Sequence, residues 1–381
     1  MSAYRPTIMI SAGEASGDIH AAHALQALRN RGTEFDSFGM GADHLKAAGM
    51  ELTLDCRDLA VIGIVDVLIN YPRFMRRLAT LRQTMKDRQP DLLVIVDYPD
   101  FNLKLAETAR ALSIPVLFYI SPQIWAWRKK RIHRIGNLVS HMAVLFPFEV
   151  DVYEQENIPV TYVGHPLVDD AKSEFTVSQA REHLQLPVNA TLVALLPGSR
   201  NGELKRNLPV MLETAALLKE RYPDVQFVLP VAPTLESATV NEVLEHASIN
   251  IVVINAQSYN VMRASDAVLS ASGTATLETA MLGTPMTIMY VINALNYWIM
   301  NRLIQIDNIG LVNIVAGKRI CQEFVQDECD PKAIATELEK CLFDNNYKQT
   351  MLAELSNVRQ KMGTGGASQR VANLIESMLT D

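Results

Sequence analysis

The chain has 381 residues, 49% of them hydrophobic and 20% charged, with a formal net charge of −7. That length accommodates two domains of ordinary size, each with its own core, and the acidic balance argues against a general nucleic-acid binder. Cys56, Cys321, Cys329 and Cys341 form neither a CxxC pair nor a zinc spacing and read as free thiols of a reducing compartment, and the N-terminus runs straight into a strand without a basic and then apolar leader.

Thr7 to Ile10 is the first predicted strand, opening into Ser11 to Asp18, SAGEASGD, before the helical spacing of Ile19 to Asn30. A nicotinamide-type GxGxxG is absent, and Gly39-Met40-Gly41 lacks the third glycine. Instead the loop presents Glu14 and Asp18 at the C-terminal edge of the strand, where open α/β sheets hold ligands, and two carboxylates suit a hydroxyl-bearing substrate better than a phosphate. Asp18 as a plain helix cap is the competing role.

The stretch from Leu59 begins with about twelve mostly apolar residues, among them Val61, Ile62, Ile64 and Val65, too few to cross a hydrocarbon core as a helix. Arg73, Arg76, Arg77, Arg82, Lys86 and Arg88 follow against the single acid Asp87. An apolar surface beside a basic stripe is the pattern of an element resting on an anionic membrane face; a buried helix followed by a solvated one is the alternative.

Asp91 to Val96 is a near-continuous apolar strand, and Asp97, Asp100 and Asn102 follow at the working edge of a parallel sheet. Asp97, fixed by the strand itself, is the first candidate for a general base, whereas Asp100 serves either a substrate or the turn. Strands at 115–120, 139–145 and 159–163 complete a first wound domain, with the aromatic and basic SPQIWAWRKKR at its edge.

A second wound unit starts with the strand at 191–196 and the loop PGSR, where Ser199 and Arg200 are placed for an anion, Arg200 with its forked guanidinium. Strands at 225–229 and 250–254 lead to DAVLSASGTATLETAMLGTP from Asp266 to Pro285, read as strand, tight turn and helix. The first N–H groups of that helix, around Ser272, Gly273 and Thr274, suit a diphosphate, with Thr274 or Ser272 as cap; Glu278, one turn on, suits a ribose diol. Another strand is expected at 286–290, and Asn313, in a loop returning to the same edge, is placed for phosphate or base, or for a turn. The last helices either pack back on the first domain or exchange with a second subunit, which leaves a homodimer open.

GEASGD, IVDYPDFN, SPQIWAWRKKR, FPFE, VGHP, LLPGSR and SASGTATLE, in this order between about residues 7 and 317, resemble the lipid-A-disaccharide synthase family. The Asn313 segment reads GLVN, without the proline expected before the Asn. The resemblance implies a GT-B-type α/β fold, two doubly wound Rossmann-like domains facing a central cleft. Its expected division is 1–168 for acceptor and membrane, 169–340 for the UDP-sugar, and 341–381 for helices that pack back or swap. It implies an inverting transfer of 2,3-diacylglucosamine from its UDP derivative to the 6-hydroxyl of 2,3-diacylglucosamine 1-phosphate, without cofactor or metal. Asp97 is then the base, Glu14, Asp18 and Asp100 orient the acceptor, and Ser199, Arg200, Ser272, Gly273, Thr274, Glu278 and Asn313 hold the nucleotide. The implied location is cytoplasmic, peripheral on the inner membrane. The alternatives are a UDP-N-acetylglucosamine 2-epimerase or other UDP-sugar enzyme on the same fold, and a nucleotide-sugar sensor without turnover.

Overall fold

The computed structural model describes residues 4–59, 64–122, 124, 131–292 and 308–380, with backbone alone at 58–59 and 64–70. The chain divides into two compact units, residues 1–166 with 364–381, and residues 167–363.

In chain order, the first unit has β1 (Thr7–Ala12), α1 (Ala15–Asn30), β2 (Asp36–Gly41), α2 (Asp43–Ala47), β3 (Glu51–Asp55), α3 (Ile64–Arg88), β4 (Leu92–Val96), α4 (Pro99–Ala111), β5 (Val116–Tyr119), α5 (Arg131–Leu138), β6 (His141–Val144), α6 (Pro147–Glu154) and β7 (Val160–Tyr162). Among the described residues these strands form one parallel sheet in the order β3-β2-β1-β4-β5-β6-β7. Every residue of β4 is buried, which is what covering both faces of a parallel sheet with helices demands, and explains its unbroken apolar sequence.

The helix α3 runs through Pro72 without ending. Its Leu78, Leu81 and Met85, at helical spacing, join Phe38, Phe101 and Phe118 in the core, and Phe74 meets Phe101 edge-on at 5.1 Å. The second half of the stretch is therefore a core helix with a polar face rather than a solvated one. Arg82 donates to the Lys104 carbonyl at 2.6 Å, and Arg88 pairs with Glu51 at 2.8 Å. Arg73 and Arg76 are exposed and Arg77 is half-buried. Val61 and Ile62 lie outside the described residues, and of Ile64 and Val65 the backbone alone is described. No helix among the described residues is long and apolar enough to cross a membrane.

The second unit has α7 (Leu167–Asp170), α8 (Val177–His183), β8 (Leu192–Leu196), α9 (Asn201–Arg221), β9 (Gln226–Val231), α10 (Ser237–Leu244), β10 (Ile251–Asn255), α11 (Ser258–Ala264), β11 (Ala267–Ala271), α12 (Thr274–Leu282), β12 (Met286–Tyr290), α13 (Leu311–Ala316), β13 (Glu323–Val325), α14 (Pro331–Phe343) and α15 (Asn345–Lys361). Its described strands are again parallel, in the order β10-β9-β8-β11-β12-β13. Buried Arg181 donates to the carbonyls of Ala264, Val188 and Ala190 and pairs with Asp266 at 2.8 Å, tying α8 to the entrance of the two central strands.

The last helix, α16 (Ala367–Thr380), belongs to the first unit and packs on α1. Glu376 accepts from Thr33 at 2.7 Å and pairs with Arg31 at 2.9 Å, while Arg370 donates to the Val163 carbonyl at 2.7 Å. The four cysteines are free thiols, three of them buried.

Candidate functional site

In each sheet the strand order reverses beside the unit's first strand, between β1 and β4 and between β8 and β11. At such a switch point the two following loops leave in opposite directions and open a crevice at the C-terminal edge. Ala12 pairs with Val96, so the GEASGD and DYPDFN loops leave the first sheet side by side. In the second sheet Leu196 pairs with Ser270, which sets PGSR beside SGTATLE.

At the first crevice the backbone leaves β4 through two consecutive left-handed residues, Asp97 at φ 47° and Tyr98 at φ 48°. Neither is glycine; an aspartate tolerates this region better than most residues, whereas for Tyr98 it costs about 1–2 kcal/mol. Pro99 then starts α4, its missing N–H harmless in the first turn. A Cβ on Gly13 would lie 2.4 Å from the Tyr98 ring, so the first loop has no side chain where the strained turn lies over it. Burial, with the like charge of Glu14 added, pushes the Asp97 carboxyl up to about 6 against the pull of the Tyr98 backbone N–H. Glu14 itself is exposed, at the residue preceding α1.

The other two predicted carboxylates are differently placed. Asp18 is 1% exposed, and its oxygens accept from the backbone N–H groups of Ala42, His44 and Leu45 at 2.6, 3.0 and 3.2 Å. It caps α2 across the sheet edge, which corrects the expectation that it faces an acceptor hydroxyl. Asp100 is exposed and pairs with Arg131 at 2.5 Å, linking the starts of α4 and α5. Two histidines that the sequence did not single out are held neutral: burial pushes His20 down to about 4 and His165 down to about 3, in each case with a second histidine nearby.

At the second crevice Ser199 and Arg200 are exposed. Glu203, in the first turn of α9, accepts from the Ser199 N–H at 3.2 Å and pairs with Arg200 at 3.2 Å. Asn207, fully buried, donates to the Pro197 carbonyl and accepts from the Val291 N–H, both at 2.9 Å, which fixes the root of the loop. Gly273, not Ser272 or Thr274, precedes α12 as its cap position, and no side chain caps the helix. Ser272 instead donates to the Ile309 carbonyl at 2.8 Å. Among the described residues nothing accepts from the N–H groups of Gly273, Thr274 and Ala275, so the positive end of α12 is open to an anion. One turn on, Glu278 accepts from the Tyr259 hydroxyl at 3.3 Å. Burial holds its carboxyl above the ordinary range, with Asp170 adding to the rise.

Asn313 is not in a loop at this edge. It lies within α13 with no exposed surface, donates to the Cys321 carbonyl and Glu323 at 2.7 Å each, and accepts from the N–H groups of Ile320 and Cys321 at 2.8 and 2.9 Å. With both ends of its amide engaged it pins the chain leading to β13, which corrects its assignment to phosphate or base. Tyr259, Glu203 and Asn207 are the neighbours that sequence reasoning missed. Asn207 was the most detectable of them, an amide on the apolar stripe of an otherwise amphipathic helix. Among the described residues no group of three or more His, Cys, Asp or Glu is arranged to hold a metal ion.

A family model described as lipid-A-disaccharide synthetase matches residues 8–374. A protein of Geobacter metallireducens named lipid-A-disaccharide synthase is 43% identical over 372 residues, 98% of this chain and 97% of that protein. One of the same name from Geobacter sulfurreducens is 44% identical over the same shares. Among solved structures, the S. aureus MnaA-UDP co-structure aligns with a TM-score of 0.67 at 13% identity, covering 98% of this chain and 97% of that one, and its likeness concerns the fold alone. The fold is α/β of the GT-B type.

The raised Asp97 carboxyl has a consequence for stability. An unfolded aspartate titrates near 4, so the native state alone is penalised for ionisation; the penalty is absent below about pH 4, grows as the pH rises through 6 and is complete above it. Asp97→Asn is therefore expected to stabilise the chain by about 1–3 kcal/mol at pH 7, with the gain vanishing below about pH 4, in urea titrations at a series of pH values. A variant no more stable than the parent at pH 7 would refute the desolvation of this carboxylate.

Proposed function

The chain belongs to the lipid-A-disaccharide synthase family of glycosyltransferases, and from that premise we propose that it transfers 2,3-diacylglucosamine from its UDP derivative to the 6-hydroxyl of 2,3-diacylglucosamine 1-phosphate. The carrying observation is Asp97, a desolvated carboxylate held on strained backbone at a sheet's switch point. In the reaction the acceptor oxygen attacks the anomeric carbon, the bond from that carbon to the diphosphate breaks, and Asp97 takes the hydroxyl proton. One displacement inverts the α-linked donor to the β-1,6 product, with UDP as leaving group. A carboxyl raised toward 6 is a stronger base than an ordinary aspartate and is still largely ionised at neutral pH.

Glu14 and Asp100 orient acceptor hydroxyls from the same edge, and Asp18 contributes through the loop it caps. The charge that develops on the diphosphate is met by the open N-terminus of α12 at Gly273 and Thr274, with Ser199 and Arg200, once Arg200 exchanges Glu203 for the ligand. Glu278, held by Tyr259, takes the ribose diol, and Ser272 keeps the turn in place. The observations that support these roles are the free N–H groups, the exposure of Arg200 and the partial burial of Glu278.

Both substrates carry acyl chains, so the enzyme works from the cytoplasm at the inner-membrane surface. The docking surface in this reading is the apolar stretch with Val61, Ile62, Ile64 and Val65 followed by Arg73, Arg76 and Arg77. The exposure of Arg73 and Arg76 supports it, as does the tying of Arg82 and Arg88 to the protein body.

Incubation with both diacyl sugars, followed by mass analysis, is expected to yield the disaccharide phosphate and UDP. Asp97→Asn should lower turnover about 100-fold or more, and the parent's kcat/KM should fall as the pH drops below about 6. Epimerised UDP-N-acetylglucosamine in place of a disaccharide, or parental turnover by Asp97→Asn, would overturn the assignment. Replacing Val61, Ile62 and Val65 together by Ser is expected to release the protein from anionic vesicles while UDP binding persists; unchanged flotation would remove that surface from the account.

A further inference from the structure

Four hydrogen bonds converge on Asn102, a side chain of α4 with no exposed surface. Its Nδ2 donates to the Asp97 carbonyl at 2.7 Å and to those of Val96 and Ser11 at 3.2 Å each. Its Oδ1 accepts from the Ser11 hydroxyl at 2.6 Å. Three carbonyls can be served only by the amino end of the amide, so the orientation of the group is unambiguous, and the hydroxyl holds the other end. One side chain thus gathers the end of β1, the end of β4 and the first left-handed residue after it.

Strand β4 has little intrinsic reason to end in two consecutive left-handed residues, since Tyr98 is bulky and Asp97, though more tolerant of the region, also carries a Cβ. Such a conformation persists only where its surroundings over-determine it. The Asp97 carbonyl, turned out of the sheet ladder, is where the shortest of the three amide bonds lands. The direction of a side chain follows from the φ and ψ of its own backbone, so whatever fixes that peptide also fixes the aim of the carboxylate.

We propose that Asn102, oriented by Ser11, is a positioning residue that holds the Asp97–Tyr98 backbone in its left-handed form and so aims the Asp97 carboxylate at the hydroxyl it deprotonates. The proposal rests on Asp97 as the base, and it acts through Asp97 alone. Asn102 touches no substrate. An amide that merely stapled the core would lower the amount of folded protein and leave each folded molecule fully active.

A double-mutant cycle on the full chain separates the two roles. Ser11→Ala and Asn102→Ala are each made in the parent and in Asp97→Asn, and kcat, donor KM and thermal melting are measured. In the parent, Asn102→Ala is expected to lower kcat about 30- to 100-fold and Ser11→Ala about 5- to 10-fold, with donor KM within about twofold. In Asp97→Asn, neither is expected to change the residual rate by more than about twofold, because the group they aim is gone. Ser11→Thr, which keeps the hydroxyl, should restore most of the Ser11→Ala loss. Equal fold-losses in both backgrounds, or parental kcat in folded Asn102→Ala, would overturn the proposal. If Asn102→Ala does not fold, the Ser11→Ala cycle decides by the same criterion. Parental activity of Asp97→Asn would instead remove the base assignment, and this proposal with it.

Discussion

Parallel pairing of the first strand of each unit with the strand across its switch point is the constraint from which the rest of the structure follows. Ala12 beside Val96, and Leu196 beside Ser270, place two loops at one edge that are far apart in sequence. Hydrogen bonds run down each ladder to that edge and stop, and the backbone groups beyond need new partners. In both units a buried asparagine from the following helix supplies them, Asn102 in the first and Asn207 in the second. An amide suits the task because it donates and accepts from one rigid plane.

The chemistry grows from what those junctions leave unsatisfied. At α12 the first N–H groups have no partner among the described residues, and in the proposed function a diphosphate completes them. At Asp97 a half-buried carboxylate lies near the like charge of Glu14, and the raised pKa is the form in which that unfavourable burial appears. The cost at Asp97 is what is expected where a site opposes the preferences of the fold around it. Glu203 has a related position, occupying Arg200 and the Ser199 N–H with a carboxylate that the proposed function replaces by a phosphate.

Much of the fold was legible because parallel strands buried on both faces are continuous apolar runs. Asp91 to Val96, Thr191 to Leu196 and Met286 to Tyr290 each became a strand within a residue or two. Three strands were not legible, β2, β3 and β13. DSFGMG in β2 was weighed as a fragment of a glycine motif, but Gly39 lies at a register shift where a Cβ would come within 2.0 Å of the Ile10 carbonyl oxygen. β13 is three residues long, too short for periodicity to register. The sequence also placed Asp97, Arg200, Glu278 and the turn at Gly273 at sheet edges from the strands preceding them. It misjudged Asp18 and Asn313 for a common reason: their hydrogen-bonding capacity is taken by backbone groups of segments further along the chain, 24 to 27 residues on for Asp18. Local pattern shows which residues are polar. It does not show which of them the fold has already satisfied.

The most direct measurement of the central claim is a carbon NMR titration of the aspartate carboxylates, with the Asp97 signal assigned by its loss in Asp97→Asn. A desolvated base aimed from strained backbone should titrate near 6, well apart from the exposed aspartates. A midpoint near 4, the value of an ordinary solvated aspartate, would contradict the account.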